Sequence, residues 1–423
     1  MSKSNRAEES KSWSPSEFVV EAVDDKTRFH DLDLQDSLLR GVAELGFQYC
    51  SPIQAKILPH TLQGHDAIGK AQTGTGKTAA FLITIFNDLL CNPPEGERYL
   101  AEPRAVIIAP TRELVMQIAA DAEDLGKFTG LQTVTMIGGA DYQKQLAKVQ
   151  SRVVDLVVAT PGRLIDFMQR RDLFLDRVET LVLDEADRML DMGFKRDIDK
   201  IRGLIPSKRQ NLMFSATFSR EIKSLAQTIL QRPTLVEATP ENTTVEAIAQ
   251  QIYRVAKEKK TNLLIKLIQD GNWQQVLVFT RTKHGANNLC KKLENARISA
   301  MAIHGNKSQG ARTRALAGFK NHEVRVLVAT DIAARGLDIP LLPHVVNYEL
   351  PNIPEDYVHR IGRTGRAGAN GVALSLVCAE ETSYLASIEK LTKQRFKKEI
   401  VEGFEPDPNA STVPPKQGGG RQQ

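Results

Sequence analysis

Ala71-Gln72-Thr73-Gly74-Thr75-Gly76-Lys77-Thr78 sets two glycines, a lysine and a hydroxyl in the order that wraps a polyphosphate. Such a loop turns backbone N–H groups inward, puts the lysine on the β- and γ-phosphates and offers the threonine hydroxyl to Mg2+. The first position, Ala71, departs from the glycine that is usual there. The strand-like Ala67-Ile68 before it and the helix-like Ala79-Ala80-Phe81-Leu82 after it supply the context the loop needs. Later in the chain, Asp184-Glu185-Ala186-Asp187 ends an apolar strand. Asp184 is placed as an outer-sphere Mg2+ partner, and Glu185 is placed to orient and deprotonate an attacking water. Together the two segments predict hydrolysis of a nucleoside triphosphate.

A second cluster, His359-Arg360-Ile361-Gly362-Arg363-Thr364-Gly365-Arg366, has no phosphate loop of its own. On a helix His359, Arg363 and Arg366 would share one face. Arginines offered by one domain to a triphosphate held by another act on transition-state charge. The plainer alternative is a basic surface helix, but Gly362 and Gly365 weaken it, because glycine inside a helix is costly.

These residues need a scaffold, and the pattern around them is that of an α/β protein. Short β-branched runs alternate with helical periodicity, as in a mainly parallel sheet flanked by helices. Candidate strands include Ala105 to Ala109, Val153 to Val158, Val178 to Leu183 and Asn211 to Phe214, each followed by polar residues where open sheets bind ligands. The pattern lapses over Pro233 to Val245, which reads as a linker. It resumes with Val276 to Phe279, Met301 to Ile303, Arg325 to Ala329, Val345-Val346 and Val372 to Val377. The resulting division is a flexible extension 1–27, a first domain 28–238, a linker 239–248, a second domain 249–400 and a flexible Gly/Pro/Gln-rich tail 401–423.

Composition allows this and narrows the rest. With 423 residues the chain exceeds what one core usually supports. Hydrophobic content of 41% and charged content of 25% exclude disorder for most of it. A net charge of +5 permits nucleic-acid binding without requiring it. The four cysteines, Cys50, Cys91, Cys290 and Cys378, are too dispersed for a zinc site and suit a reducing compartment. No uncharged apolar run reaches the ~18 residues of a membrane span. A cytoplasmic protein with no membrane partner is therefore expected.

Taken in order, these segments resemble the DEAD-box ATP-dependent RNA helicases over roughly residues 28 to 400. The second half resembles the bacterial RhlE type most, through His304-Gly305-Asn306-Lys307-Ser308-Gln309-Gly310-Ala311-Arg312 and Ala329-Thr330-Asp331-Ile332-Ala333-Ala334-Arg335-Gly336-Leu337-Asp338. The resemblance implies two tandem RecA-like domains that close over ATP, Mg2+ and RNA. It implies that Phe29 stacks on adenine while Gln54 reads the base edge, a pairing for which a carboxamide is suited. The loop Ala71 to Thr78 would hold the phosphates, Gly336 and Asp338 the ribose side, and Arg363 and Arg366 would be the fingers. Ser215, Thr217 and His359 would couple the nucleotide to RNA.

For RNA the resemblance implies Pro110, Arg112, Gly138, Gly139, Thr160, Gly162 and Arg163 in the first domain. Arg281, Gly305, Arg312 and Thr330 would serve in the second. Such residues contact phosphate and sugar rather than base identity, so sequence-independent binding is expected. The implied mechanism is local strand separation by a monomer, with ribosomal precursors or RNA-decay complexes as the open choice of partner. A DNA helicase would share the ATP site, but the Gln54, Asp184-to-Asp187 and Ser215-Ala216-Thr217 segments favour RNA. A non-catalytic clamp would tolerate loss of Lys77, Glu185 or Arg366, and all three are present.

Overall fold

The computed structural model describes residues 13–71, 74–94, 96–237, 248–334, 342–364 and 371–406. The chain falls into two compact units, Met1–Pro240 and Glu241–Gln423. In the first, β1 (Ala67–Lys70), β2 (Ala105–Ile108), β3 (Thr133–Met136), β4 (Leu156–Ala159), β5 (Thr180–Leu183), β6 (Gln210–Ser215) and β7 (Thr234–Glu237) form one sheet. Their order is β3-β4-β2-β5-β6-β1-β7, and every pairing is parallel.

Residues of β2, β4 and β5 are buried throughout, as strands covered on both faces must be. Period-2 geometry sends Ile107, Val158 and Val182 to one core and Ile108, Val157 and Leu183 to the other. The covering helices that matter below are α1 (Asp36–Glu44), α2 (Pro52–Thr61), α3 (Lys77–Cys91), α4 (Arg112–Leu125), α5 (Tyr142–Gln150), α6 (Pro161–Gln169) and α7 (Ala186–Asp191).

The second unit repeats the plan with β8 (Ala249–Arg254), β9 (Val276–Phe279), β10 (Ala300–Ile303), β11 (Val326–Ala329), β12 (His344–Asn347), β13 (Val372–Val377) and β14 (Lys398–Glu399). Their order is β10-β11-β9-β12-β13-β8-β14, again with parallel pairings. Two sheets of this kind are tandem RecA-like domains.

The elements differ from the sequence reading where the apolar run is weak. β3, β7 and β8 have mixed burial, and such strands show no continuous hydrophobic stretch. Thus β7 lies inside the stretch read as a linker, held by pairing with β1 and by buried Val236. Residues 239–247 of the expected linker lie outside the described residues, and Ile248 is buried in the second unit's core. β4 begins at Leu156 rather than Val153, after Asp155 accepts the Gln132 N–H at 2.7 Å.

The described parts of both terminal segments, residues 13–27 and 401–406, hold more tightly than composition suggests. Over residues 13–27, Trp13 and Phe18 pack on the first core, and the Phe18 ring stacks on His30 at 4.7 Å. Tyr49 Oη donates to the Glu21 carbonyl at 2.8 Å. At the other end Val401 and Phe404 pack on the second unit's core, so residues 401–406 are not the free chain expected there.

Candidate active site

Parallel strands put every following loop on one edge of the sheet, and strand order decides which loops meet. In the first unit the loops after β5, β6 and β1 are neighbours, which brings Asp184 and Glu185, Ser215 to Thr217, and the phosphate loop together. The loops after β3, β4 and β2 form the other half of the edge and carry Gly138 and Gly139, Thr160 to Arg163, and Pro110 to Arg112.

The phosphate loop leaves β1 at Ala71, whose N–H donates to the Ser215 carbonyl at 3.1 Å. Ala71 is 2% exposed within the first core and its φ is not positive, so a methyl group is accepted where glycine is usual. Gln72 and Thr73 lie outside the described residues. Gly74 and Gly76 have φ of 79° and 89°, which a side chain would strain. At Gly76 a Cβ would also come within 2.6 Å of Gln54 Nε2. Thr75 precedes Gly76, Lys77 starts α3, and half-buried Thr78 is its second residue.

Lys77 Nζ lies 2.7 Å from Asp184 Oδ1. Burial opposes the charge on Lys77, but the Asp184 and Glu185 carboxylates outweigh it and raise the ammonium above its ordinary value. Asp184 is fully buried, and Asp184 Oδ2 and Glu185 Oε2 have no hydrogen-bond partner among the described residues. Glu185 has φ 53°, a left-handed conformation that costs a non-glycine residue energy, at the N-terminus of α7. These orphaned carboxylate oxygens, with the Thr78 hydroxyl, are the hard donors Mg2+ takes. Among the described residues no three His, Cys, Asp or Glu side chains form a metal cage. Mg2+ at triphosphate sites uses one or two carboxylates plus phosphate oxygens instead.

Asp187, given no separate role by the sequence reading, links this segment to the next loop. Its Oδ2 accepts from Ala216 N at 3.1 Å, Thr217 N at 3.0 Å and Thr217 Oγ1 at 3.1 Å. Ser215 Oγ in turn donates to the Thr217 carbonyl at 2.8 Å. The spacing of Asp187 three residues after Asp184 was the available signal.

Gln54 is engaged at both ends of its amide. Oε1 accepts the Ser51 N–H at 2.8 Å, and Nε2 donates to the Gly76 carbonyl at 2.9 Å. One lone pair and one N–H remain for a base edge. Phe29 is fully buried beside Phe47, with ring centroids 6.4 Å apart. Its ring presents no open face, so stacking on adenine requires a neighbour to move.

On the other half of the edge the expected RNA residues are contiguous. Pro110 is buried after β2, Thr111 caps α4, and Arg112 is its first residue. The Arg112 guanidinium lies against Gly139, where φ is 71° and a Cβ would fall 2.4 Å from Nη1. Gly138 N donates to Thr160 Oγ1 at 3.4 Å. Gly162 faces open space, and Arg163 Nη2 donates to the Ala140 carbonyl at 3.1 Å.

The second unit repeats the division, with the loops after β10, β11 and β9 adjacent. Gly305 is exposed near Lys283, Arg312 lies in the helix Gln309–Lys320, and Thr330 N donates to the Ile303 carbonyl at 3.4 Å. Arg281 is turned inward. Its N–H meets Glu349 Oε2 at 2.8 Å, and its guanidinium lies 3.7 Å from both Glu349 and Glu381.

The helix Pro354–Ile361 carries His359 but ends before Arg363, which lies in the turn capped at Gly362. His359 and Arg363 therefore do not share a helical face. Arg366, Gly336 and Asp338 lie outside the described residues. Arg360, which was assigned no role, is 1% exposed and bridges Asp331 at 2.6 and 2.8 Å, Asn347 at 3.0 Å and the Glu349 carbonyl at 2.6 Å. It ties the segment after Thr330 to the helix bearing His359.

A phosphate loop after β1 with its carboxylates two strands away defines a RecA-like nucleoside triphosphatase. Residues 51–225 match the family described as DEAD/DEAH box helicase, and residues 259–368 match the helicase conserved C-terminal domain. The ATP-dependent RNA helicase RhlB of Pseudomonas aeruginosa is 50% identical over 89% of this chain and 96% of its own. RhlB of Pseudomonas syringae pv. tomato is 49% identical over 88% and 94%. Among solved structures, Mss116p bound to single-stranded RNA and AMP-PNP matches at TM-score 0.81 and 29% identity, over 90% of this chain and 81% of that one. S. cerevisiae Dbp5 bound to RNA and ADP BeF3 matches at 0.77 and 32%, over 89% and 95%. The chain belongs to the DEAD-box ATP-dependent RNA helicases. The relatives carry the RhlB name, so the RhlE resemblance of the second half is not confirmed.

Proposed function

We propose that the protein couples ATP hydrolysis to local, sequence-independent separation of RNA strands, with the residue roles set out here. The observation that carries this is the division of one sheet edge into a phosphate half, in which Asp187 clasps the Ser215-Ala216-Thr217 turn, and a half of glycines, amides and arginines.

In this reading Gln54 holds the adenine edge, Lys77 leaves Asp184 for the β- and γ-phosphates, and Glu185 takes the proton of the attacking water. When bound through Thr78 and Asp184, Mg2+ would supply charge neutralisation on the phosphates. Arg363 and Arg366 of the second domain act as fingers, so turnover depends on closure of the domains. Bound ATP and RNA favour that closed state, and hydrolysis releases it. Pro110, Arg112, Gly138, Gly139, Thr160, Gly162, Arg163, Gly305, Arg312 and Thr330 hold the RNA backbone. Arg281, facing two carboxylates, is read as a brace.

We read the subtype as RhlB-like, on the name its relatives carry. No helix among the described residues is long and apolar enough to cross a membrane, and a cytoplasmic site of action is proposed. The test compares stimulation of ATP hydrolysis by RNA and by DNA of the same sequence, with strand separation measured on short RNA duplexes of unrelated sequence. RNA-specific stimulation and uniform unwinding are expected. Equal stimulation by DNA, or unwinding confined to one sequence, refutes the reading.

A further inference from the structure

Tyr142 opens α5 just after the Gly138-Gly139 loop, with Asp141 capping the helix through the Lys144 N–H at 3.0 Å. Its ring packs on Phe167 of α6, centroids 4.4 Å apart, and its hydroxyl donates to Asp172 Oδ2 at 2.5 Å. Two guanidinium groups approach this one ring, Arg163 at 5.4 Å and Arg170 at 4.5 Å from the centroid.

The nearby carboxylate is shared unequally. Asp166 lies 2.7 Å from Arg170 Nε but 3.9 Å from Arg163 Nε. Arg170 therefore takes the negative charge. Arg163 is held by a neutral π face and by the Ala140 carbonyl at 3.1 Å. Its side chain is 11% exposed, and Nη1, itself buried, has no partner among the described residues. An aromatic ring fixes a guanidinium without cancelling its charge. Arg281 also lies over a ring, that of Tyr384 at 5.6 Å, but has the carboxylates of Glu349 and Glu381 beside its guanidinium.

We infer that Tyr142 is a positioning residue for RNA binding: its ring holds Arg163 in place with its charge available to an RNA phosphate. This rests on the assignment of Arg163 to RNA, and the test separates the two. In the full chain, RNA affinity at several salt concentrations is measured for Arg163→Ala, Tyr142→Ala, Tyr142→Leu, Tyr142→Phe and the Tyr142→Leu/Arg163→Ala pair. ATP binding without RNA and thermal unfolding are followed alongside. Leucine keeps an apolar side chain against Phe167 but loses both the π face and the hydroxyl bond to Asp172; phenylalanine keeps the ring and loses only that bond, so the difference between the two variants isolates the π face.

Tyr142→Leu should weaken RNA binding roughly 3- to 30-fold, the range of a cation–π contact, and raise KM for RNA while kcat holds. Tyr142→Phe should bind nearly as the parent does, and the pair should bind no more weakly than Arg163→Ala alone. If Arg163→Ala weakens binding but Tyr142→Leu does not, or their losses multiply, Tyr142 does not act through Arg163. If Arg163→Ala binds RNA like the parent, the RNA role of Arg163 falls, and the inference with it.

Discussion

Lys77 and Asp184 form an ion pair of 2.7 Å whose side chains are 7% and 0% exposed. Removing one member of such a pair leaves an uncompensated buried charge, at a cost of about 3–5 kcal/mol. Lys77→Ala should therefore both lose nucleotide binding and lower the melting temperature. Adding Asp184→Asn should recover stability without recovering binding. Thermal scans and nucleotide titrations on the two variants check this; an unchanged melting temperature in Lys77→Ala would show that the pair is not held in solution.

Glu185, at the start of α7, has an Oε2 with no hydrogen-bond partner among the described residues. Glu185→Gln keeps the shape and loses the basicity, so ATP should still bind while turnover is abolished. Near-normal steady-state hydrolysis in this variant would remove Glu185 as the general base.

Because Gln54 donates to the Gly76 carbonyl at 2.9 Å, base reading and loop geometry are joined in one side chain. Gln54→Ala should erode the preference for ATP over GTP and lower the rate together, since guanine presents an acceptor where adenine presents a donor. Competition of the two nucleotides in hydrolysis measures it. A parent protein that turns over GTP as fast as ATP would end the base-reading role.

The chain divides at Pro240, so a fragment ending at about Thr239 should bind adenine nucleotide weakly and show no RNA-stimulated hydrolysis. In the full chain Arg366→Ala should preserve both bindings and lower turnover by about 10³-fold or more, the scale for a finger. A fragment as active as the whole protein would show that catalysis does not depend on closure.

His304 offers a pH signature in the second unit. Burial, then Lys307, Lys283 and Arg312, pushes its imidazole below the ordinary range. Nε2 meets Asn287 Oδ1 at 3.1 Å and Nδ1 has no partner among the described residues. The unfolded chain therefore binds the proton better. Stability should be full above about pH 6.5, the unfolded value, and decline below it toward the lower folded value. Urea titrations at neutral and mildly acid pH should show a smaller decline for His304→Gln than for the parent, with the share from His344, also lowered by burial, remaining. An identical decline in both proteins would clear His304 of the effect.

The chemistry of this protein is legible along the chain because each reacting group is set by local spacing. Gly74, Gly76, Lys77 and Thr78 share one turn, and Asp184, Glu185 and Asp187 span a strand end and the first turn of α7. The buried strands were equally legible, since Ala105 to Ile108 or Val276 to Phe279 are apolar runs that only a covered sheet accepts. Strand order was not, because pairing is decided between segments far apart in sequence. It is that order which puts the 215–217 turn beside both the phosphate loop and Asp187, and gathers Gly139, Arg112 and Arg163 on the other half of the edge. The margins were hidden for a related reason: β3, β7 and β8 are only partly covered and carry no continuous apolar run. Charge on the page also does not say where a side chain points. Arg360 turned inward to Asp331 and Asn347, Arg281 to two carboxylates, and Arg163 to the face of Tyr142, because each settled where desolvation was offset by the partners the folded chain happened to bring near.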